Sequence, residues 1–334
     1  MRAGLTIHSG DHPLSDILSY VQEAEKLDYD GFWLTEESGK EAFSLLALSA
    51  DRTKKIRVGT GIVNIYSRTP TLLAMAIATI DNISKGRAFL GLGTGGIGFI
   101  ERGHGLKIED PLGRMKEYVT LIKRLLSGER FSYGGKYFNL KDFKLREEPA
   151  RKSVPIYLAG LNKKMQQLAG EVADGVIVNM LTDEGIKEIT ENLKIGAERA
   201  DRDKSSAGIY ALSMTLCGDT DDAMEAMKKV VAFYCASPHY HHIIQSVGYG
   251  DVAKQIEALW NKNQHSEALK LVSDDLVQKV TLSGSPKEVQ NRINRYITAG
   301  VYPIVYPIIR KESARDDVLY AMRAAVGNPK VGDS

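Results

Sequence analysis

The stretch that most constrains the fold is residues 56–96, IRVGTGIVNIYSRTPTLLAMAIATIDNISKGRAFLGLGTGG. Two apolar or β-branched runs, 56–63 and 87–93, end in glycine-rich turns, and the segment between them has helical periodicity. The order is strand, loop, helix, strand, loop: one βαβ unit with glycines where the strands stop. Sheets built this way hold ligands at the carboxyl ends of their strands, where glycines leave bare backbone. The segment therefore predicts a planar or phosphorylated cofactor lying against main chain.

The same alternation runs along the whole chain. It predicts strands at 2–7, 31–35, 56–63, 87–93, 154–159, 175–179, 208–216 and 301–306. Helices are predicted at 14–27, 42–52, 71–83, 114–126, 163–173, 184–200, 221–236, 285–300 and 314–326. The first helix is amphipathic, with Ile17, Leu18, Val21, Ala24 and Leu27 on one face. Pro70 marks a first helical turn, and Ser285-Pro286-Lys287-Glu288 is a capping pattern. Two stretches break the rhythm. Residues 130–145 read as a hairpin around Gly134-Gly135, and 237–280 as a mostly helical insertion after strand seven. Eight strands alternating with helices fit the α/β class, as a (β/α)8 TIM barrel, better than an open doubly wound sheet. No Pro-, Gly- or Ser-rich linker divides the sequence, so the expectation is a single domain over 1–334 with insertions at about 130–148 and 237–280.

Charge excludes several functions. With 44 basic and 42 acidic residues the net charge is +2, which gives no reason to invoke nucleic acid or a membrane surface. No apolar run reaches membrane-spanning length, and the start MRAGLTIHSGDHP has no signal-peptide core. Cys217 and Cys235 lack metal-ligand spacing, so reduced thiols and a cytoplasmic location are expected.

Several constellations could carry chemistry. Gly91-Leu-Gly93-Thr-Gly95-Gly96-Ile-Gly98 matches the G-x-G-x-x-G dinucleotide pattern, but residues 99–107 lack the helical period such a fingerprint should open. Three strands also precede it, so cofactor-facing backbone is the better reading, with simple turning of the chain as the plain one. Ala159-Gly160-Leu161-Asn162-Lys163-Lys164 joins a strand to a helix, where free N–H groups suit a phosphate; an ordinary solvated helix start is the alternative. Glu36 and Glu37 follow the second strand, where a carboxylate beside a hydride acceptor could donate a proton or balance an iminium-like charge. They could equally be a solvated loop pair. His8, after the first strand, is a candidate for the same mouth. Pro238-His239-Tyr240-His241-His242 has no acid or cysteine at a regular helical offset, so a substrate-side loop is favoured over a metal site, and no metal is expected. No G-x-S-x-G elbow occurs.

Taken together, YDGFWLTEE (29–37), IRVGTGIVNIYSRTP (56–70), ATIDNISKGRAFLGLGTG (78–95) and VPIYLAG with LAGEVADGVIVN (154–179) resemble the bacterial-luciferase-like superfamily. The likeness spans nearly the whole chain and is greatest to the branch that uses coenzyme F420, a deazaflavin. The carboxyl half, with VVAFYCASP (230–238) and SGSPKEV (283–289), looks most like methylenetetrahydromethanopterin reductases. The resemblance implies a non-prolyl cis peptide at Gly61-Ile62 that backs the deazaflavin ring, with Asn64 and Thr94-Gly95 along it. It further implies that Ala159, Gly160, Leu161 and Asn162 hold the cofactor phosphate and that Val178 and Asn179 line the pocket. Glu36 matches an acidic position of the deazaflavin enzymes, and Glu37 stands where they commonly have His. The chain departs from the reductase pattern in having Thr6 and Gly96 where acids are found. Thr182 and Gln278 replace the basic ligands of the sugar-phosphate relatives.

The expectation is an F420-dependent oxidoreductase moving hydride to or from a small organic substrate, foremost a methylenetetrahydromethanopterin-type one-carbon carrier. An FMN-dependent luciferase-like monooxygenase and a non-catalytic F420-binding protein are the alternatives. Relatives lead one to expect a homodimer or homotetramer.

Overall fold

The computed structural model describes residues 3–218, 221–310 and 313–328. Its architecture is the (β/α)8 TIM barrel, with strands β1 (Gly4–Ile7), β2 (Gly31–Leu34), β3 (Arg57–Thr60), β4 (Ala88–Gly93), β5 (Ile156–Ala159), β6 (Gly175–Asn179), β7 (Gly208–Cys217) and β8 (Val301–Pro307). Helices follow the predicted alternation, most within one or two residues at each end, and the second, Ala42–Arg52, matches to the residue. The start of the first predicted strand, Arg2, lies outside the described residues.

Two compact units make up the chain. One comprises Gly4–Ile177 and Glu191–Gly208; the other comprises Val178–Thr190 and the part described from Ile209 onward, with Ala3.

In the first unit β1 to β5 pair in parallel in sequence order. Their side chains are almost wholly buried, as a barrel wall covered by helices requires. Trp33, Phe89 and Tyr157 meet from β2, β4 and β5, with ring centroids 4.1 to 5.8 Å apart. The predicted strand 56–63 is not continuous. Val58 pairs with Ala88 and Gly59 with Phe89, but Val63 pairs with Leu92 and Asn64 with Gly93. The β3 side therefore carries one extra residue, which is a bulge. Thr60 bridges the gap: its Oγ1 donates to the Gly91 carbonyl (2.7 Å) and accepts from the Gly91 N–H (2.9 Å). The peptide bond inside this bulge, Gly61-Ile62, is cis.

The hairpin expected around Gly134-Gly135 is present, Phe131–Gly134 pairing antiparallel with Asn139–Phe143. Glu117, on the helix Pro111–Leu126, receives the backbone N–H groups of Lys136, Tyr137 and Phe138 and anchors its tip. That helix starts a turn earlier than predicted, because Asp110 accepts from the Gly113 N–H and Pro111 occupies the first turn.

In the second unit β7 and β8 pair in parallel, and Leu282–Gly284 extends β7 on its other edge. The insertion is helical as expected: His241–Ser246, Gly250–Trp260, His265–Lys270 and Asp274–Val280 pack with Asp221–Cys235 around Met227, Val231, Ile256 and Leu276. Cys217 and Cys235 are buried thiols that form no disulfide. Among the described residues no helix is long and apolar enough to cross a membrane, and no group of side chains is arranged to hold a metal ion.

Candidate active site

The carboxyl ends of β1 to β5 bring most of the singled-out residues together in the first unit. The bulge is their centre. The Gly61 N–H donates to the Leu34 carbonyl (2.8 Å), and the Glu36 N–H donates to the Ile62 carbonyl (3.2 Å). On the other side the Ile65 N–H reaches the Gly93 carbonyl at 3.0 Å. A methyl group on Gly93 would lie 2.7 Å from Ile62 Cδ1 and 3.3 Å from the Ala159 methyl, so the glycine lets the Ile62 side chain pack directly over the end of β4. Asn64 sits just past the bulge and is 2 % exposed. Its Oδ1 accepts from the N–H groups of Tyr66 (2.9 Å) and Ser67 (2.8 Å), which leaves the Nδ2 buried with no protein acceptor. Buried donors are almost always paired, so this one is available to a ligand acceptor. Thr94 and Gly95 follow at the end of β4, and a Gly95 methyl would come within 3.3 Å of Asn64 Cβ.

At β5, Ala159 and Gly160 lead to the helix Lys163–Val172. Asn162 caps that helix, its Oδ1 accepting from the Met165 N–H (3.0 Å). The side chain is thereby committed to the fold, and what remains for an anion is backbone N–H at the positive end of the helix. Buried Gln166 holds the approach: Nε2 donates to the carbonyls of Gly160 (3.3 Å) and Leu161 (3.4 Å), and Oε1 accepts from Asn192 Nδ2 (2.8 Å).

The two glutamates diverge, as adjacent loop residues should. Glu36 is 7 % exposed and paired through both oxygens with Arg68, at 2.6 and 2.8 Å, while Oε2 also accepts from the Ala42 N–H (3.0 Å). Glu37 faces solvent and contacts His8 Nε2 at 3.1 Å. Asp11 Oδ2 lies 2.9 Å from His8 Nδ1. The Glu37 hydrogen bond, aided by both carboxylates, raises the His8 pKa above its ordinary 6.5 against the opposing pull of burial. In return His8 holds the Glu37 carboxyl below its usual 4.5. Lys40 ties these loops together, its Nζ donating to the carbonyls of Ser9 (2.8 Å) and His12 (2.7 Å).

Val178 and Asn179, at the end of β6, belong to the second unit and are buried there. Asn179 Nδ2 donates to the Tyr240 hydroxyl at 3.4 Å and Oδ1 accepts from the Met180 N–H. Residues 99–107 do not open an α-helix. A single π-helical turn, Gly98–Gly103, stands there, as the loose dinucleotide match foretold.

Sequence reasoning missed Arg68, Gln166 and Asn192. An arginine just ahead of the Thr69-Pro70 helix start, opposite a glutamate pair, is the signal that could have found the first. The buried amide pair left no signal in the pattern.

Known proteins resemble the chain over most of its length. A 5,10-methylenetetrahydromethanopterin reductase of Archaeoglobus fulgidus is 35 % identical over 293 residues, covering 86 % of this chain and 87 % of that protein. The protein of the same name from Methanolobus tindarius is 30 % identical over 298 residues, covering 88 % and 90 %. The solved coenzyme F420-dependent tetrahydromethanopterin reductase of Methanopyrus kandleri superposes with a TM-score of 0.83 at 27 % identity, over 98 % of this chain and 99 % of that one. The model of the luciferase-like monooxygenase family matches residues 1–302, and the chain belongs to that family.

Proposed function

We propose that this chain is an F420-dependent oxidoreductase whose substrate is a one-carbon carrier of the methylenetetrahydromethanopterin type. Kinship carries the reading: reductases of that name match 86 % and 88 % of the chain at 35 % and 30 % identity. The donor set supports it. A buried Asn64 Nδ2 without a partner, half-buried backbone at Gly61-Ile62 and Gly95, and the N-terminus of the helix Lys163–Val172 suit a flat heterocycle carrying carbonyls and a phosphate.

When bound, the deazaflavin supplies the ring carbon that exchanges hydride with the substrate. The chain supplies position. Ile62, Asn64, Thr94 and Gly95 flank the ring, and the segment from Ala159 to Asn162 holds the phosphate by main chain. His8 and Glu37 handle charge and proton: the ionised Glu37 balances a cationic substrate centre, and His8 Nε2 holds the proton shared between them at 3.1 Å. Exposed Leu48, Leu72 and Met75, on the adjacent helices Ala42–Arg52 and Pro70–Ser84, support assembly with further copies of the chain.

The test is an anaerobic difference-spectrum titration with F420 and with FMN, followed by hydride transfer to methylenetetrahydromethanopterin. Tight F420 binding and F420-dependent turnover are expected. Micromolar FMN binding without F420 binding refutes the reading in favour of a flavin monooxygenase. Tight F420 binding with no turnover of any carrier leaves a cofactor-binding protein.

A further inference from the structure

We infer that Arg68 is a positioning residue that locks the 61–68 segment, with Glu36 as its anchor, and so fixes Asn64 for the cofactor. The inference rests on the F420 reading above and goes beyond it, since it takes Glu36 out of proton chemistry.

The contacts converge on one side chain. Arg68 Nη1 donates to Glu36 Oε1 (2.6 Å), and Nη2 donates to Glu36 Oε2 (2.8 Å) and Glu41 Oε1 (2.6 Å). Its guanidinium carbon lies 5.3 Å from the Phe43 ring centroid. Its own carbonyl accepts a 2.5 Å hydrogen bond from the Tyr118 hydroxyl. Burial pushes the Tyr118 phenol up to about 12, so it remains a donor across the working range. Arg68 is thus held from three elements: the loop after β2, the start of the helix Ala42–Arg52 and the helix Pro111–Leu126.

Glu36 grips the segment at both ends. Its N–H binds the Ile62 carbonyl at one end, and its carboxylate binds Arg68 at the other. Between these clamps Asn64 Oδ1 closes the turn over Tyr66 and Ser67, which fixes the side chain and leaves Nδ2 buried and unpartnered. Both Glu36 oxygens are bound to the Arg68 guanidinium, and Oε2 also receives the Ala42 N–H, so the carboxyl group is committed to holding this segment. A bidentate fork of this kind cannot be copied by lysine, which presents a point charge.

The experiment compares wild type with Arg68→Lys, Asn64→Ala, the double variant and Asp81→Asn. Asp81 is fully buried and paired with Arg151 at 2.7 Å, at the opposite end of β4, so its variant loses a buried ion pair without touching the cofactor segment. Arg68→Lys should weaken F420 binding about tenfold, measured by fluorescence titration well below the melting temperature, with kcat at saturating F420 within about threefold. Asp81→Asn should melt at least as early and bind F420 within about twofold of wild type. The Arg68→Lys and Asn64→Ala losses should fail to multiply, because one acts through the other. Hydrogen exchange on the cofactor-free protein should show faster exchange across 61–68 in Arg68→Lys and not in Asp81→Asn. Multiplying losses, or an Arg68→Lys affinity equal to that of Asp81→Asn, overturn the inference. Unchanged exchange across 61–68 overturns it even if wild type binds no F420, an outcome that separately refutes the F420 reading.

Discussion

Replacing Gln166 by Leu isolates the energy of the amide network beneath the 160–162 turn. The two side chains are similar in size, so the change removes hydrogen bonds with little change in packing. Asn192, only 3 % exposed, loses the 2.8 Å acceptor for its Nδ2, and the buried Gly160 carbonyl loses its 3.3 Å donor. An orphaned buried polar group costs about 1–3 kcal/mol, with the long Gly160 bond at the low end, so the two together cost about 2–4 kcal/mol. Added apolar burial returns up to ~1 kcal/mol, for a net loss of about 1–4 kcal/mol with its midrange at about 2–3 kcal/mol. At ~2 °C per kcal/mol for a chain of this size the melting temperature falls by about 4–6 °C. Urea unfolding is the direct assay, with a lower midpoint at unchanged slope. F420 affinity should fall in parallel, because the turn above the amides carries the proposed phosphate site. A Gln166→Leu protein within about 0.5 kcal/mol of wild type refutes the claim that buried amides hold this turn.

Three further outcomes follow from the geometry. Gly91→Ala puts a methyl onto the Thr60 carbonyl oxygen, a backbone atom with nowhere to go, and should cost about 2–3 kcal/mol in a urea melt. Asp81→Asn leaves Arg151 without its charge partner and weakens the bond to the Ala88 N–H, for a loss of about 3 kcal/mol read the same way. For His8 the folded pKa is raised above 6.5, so its stabilising pair with Glu37 is complete below that pH and fades as pH climbs through the raised value. Glu37, lowered from 4.5, sets the acid limit: the pair is lost as pH falls through that lowered value. The stability gap between wild type and His8→Gln, followed by urea midpoints across pH, should therefore be widest between those limits and close on the alkaline side.

Much of this was written locally in the chain. The helix Ala42–Arg52 and the strand Gly175–Asn179 match their predicted bounds because apolar pattern and punctuation coincide there. The strand 56–63 was overextended because a bulge obeys pairing, not propensity: Val63 remains β-forming and still joins β4, one residue out of step. The start of the helix Pro111–Leu126 was set by Asp110 and Pro111, a cap signal outweighed by the weak apolar pattern of its first turn. Arg68 and Gln166 escaped notice for another reason. Polar side chains earn burial only through partners distant in sequence, Glu36 and Asn192 here, and periodicity carries no record of that pairing.

Gly96 and Gly98 stand at the rim of the barrel, just past β4, and a Cβ added to either would meet no atom within 4 Å. Mutation can therefore start a side chain at these two points without a clash at its first atom. Selection is free to redraw which reactant the enzyme prefers while the scaffold keeps its stability, so divergence among kin should concentrate at this lip.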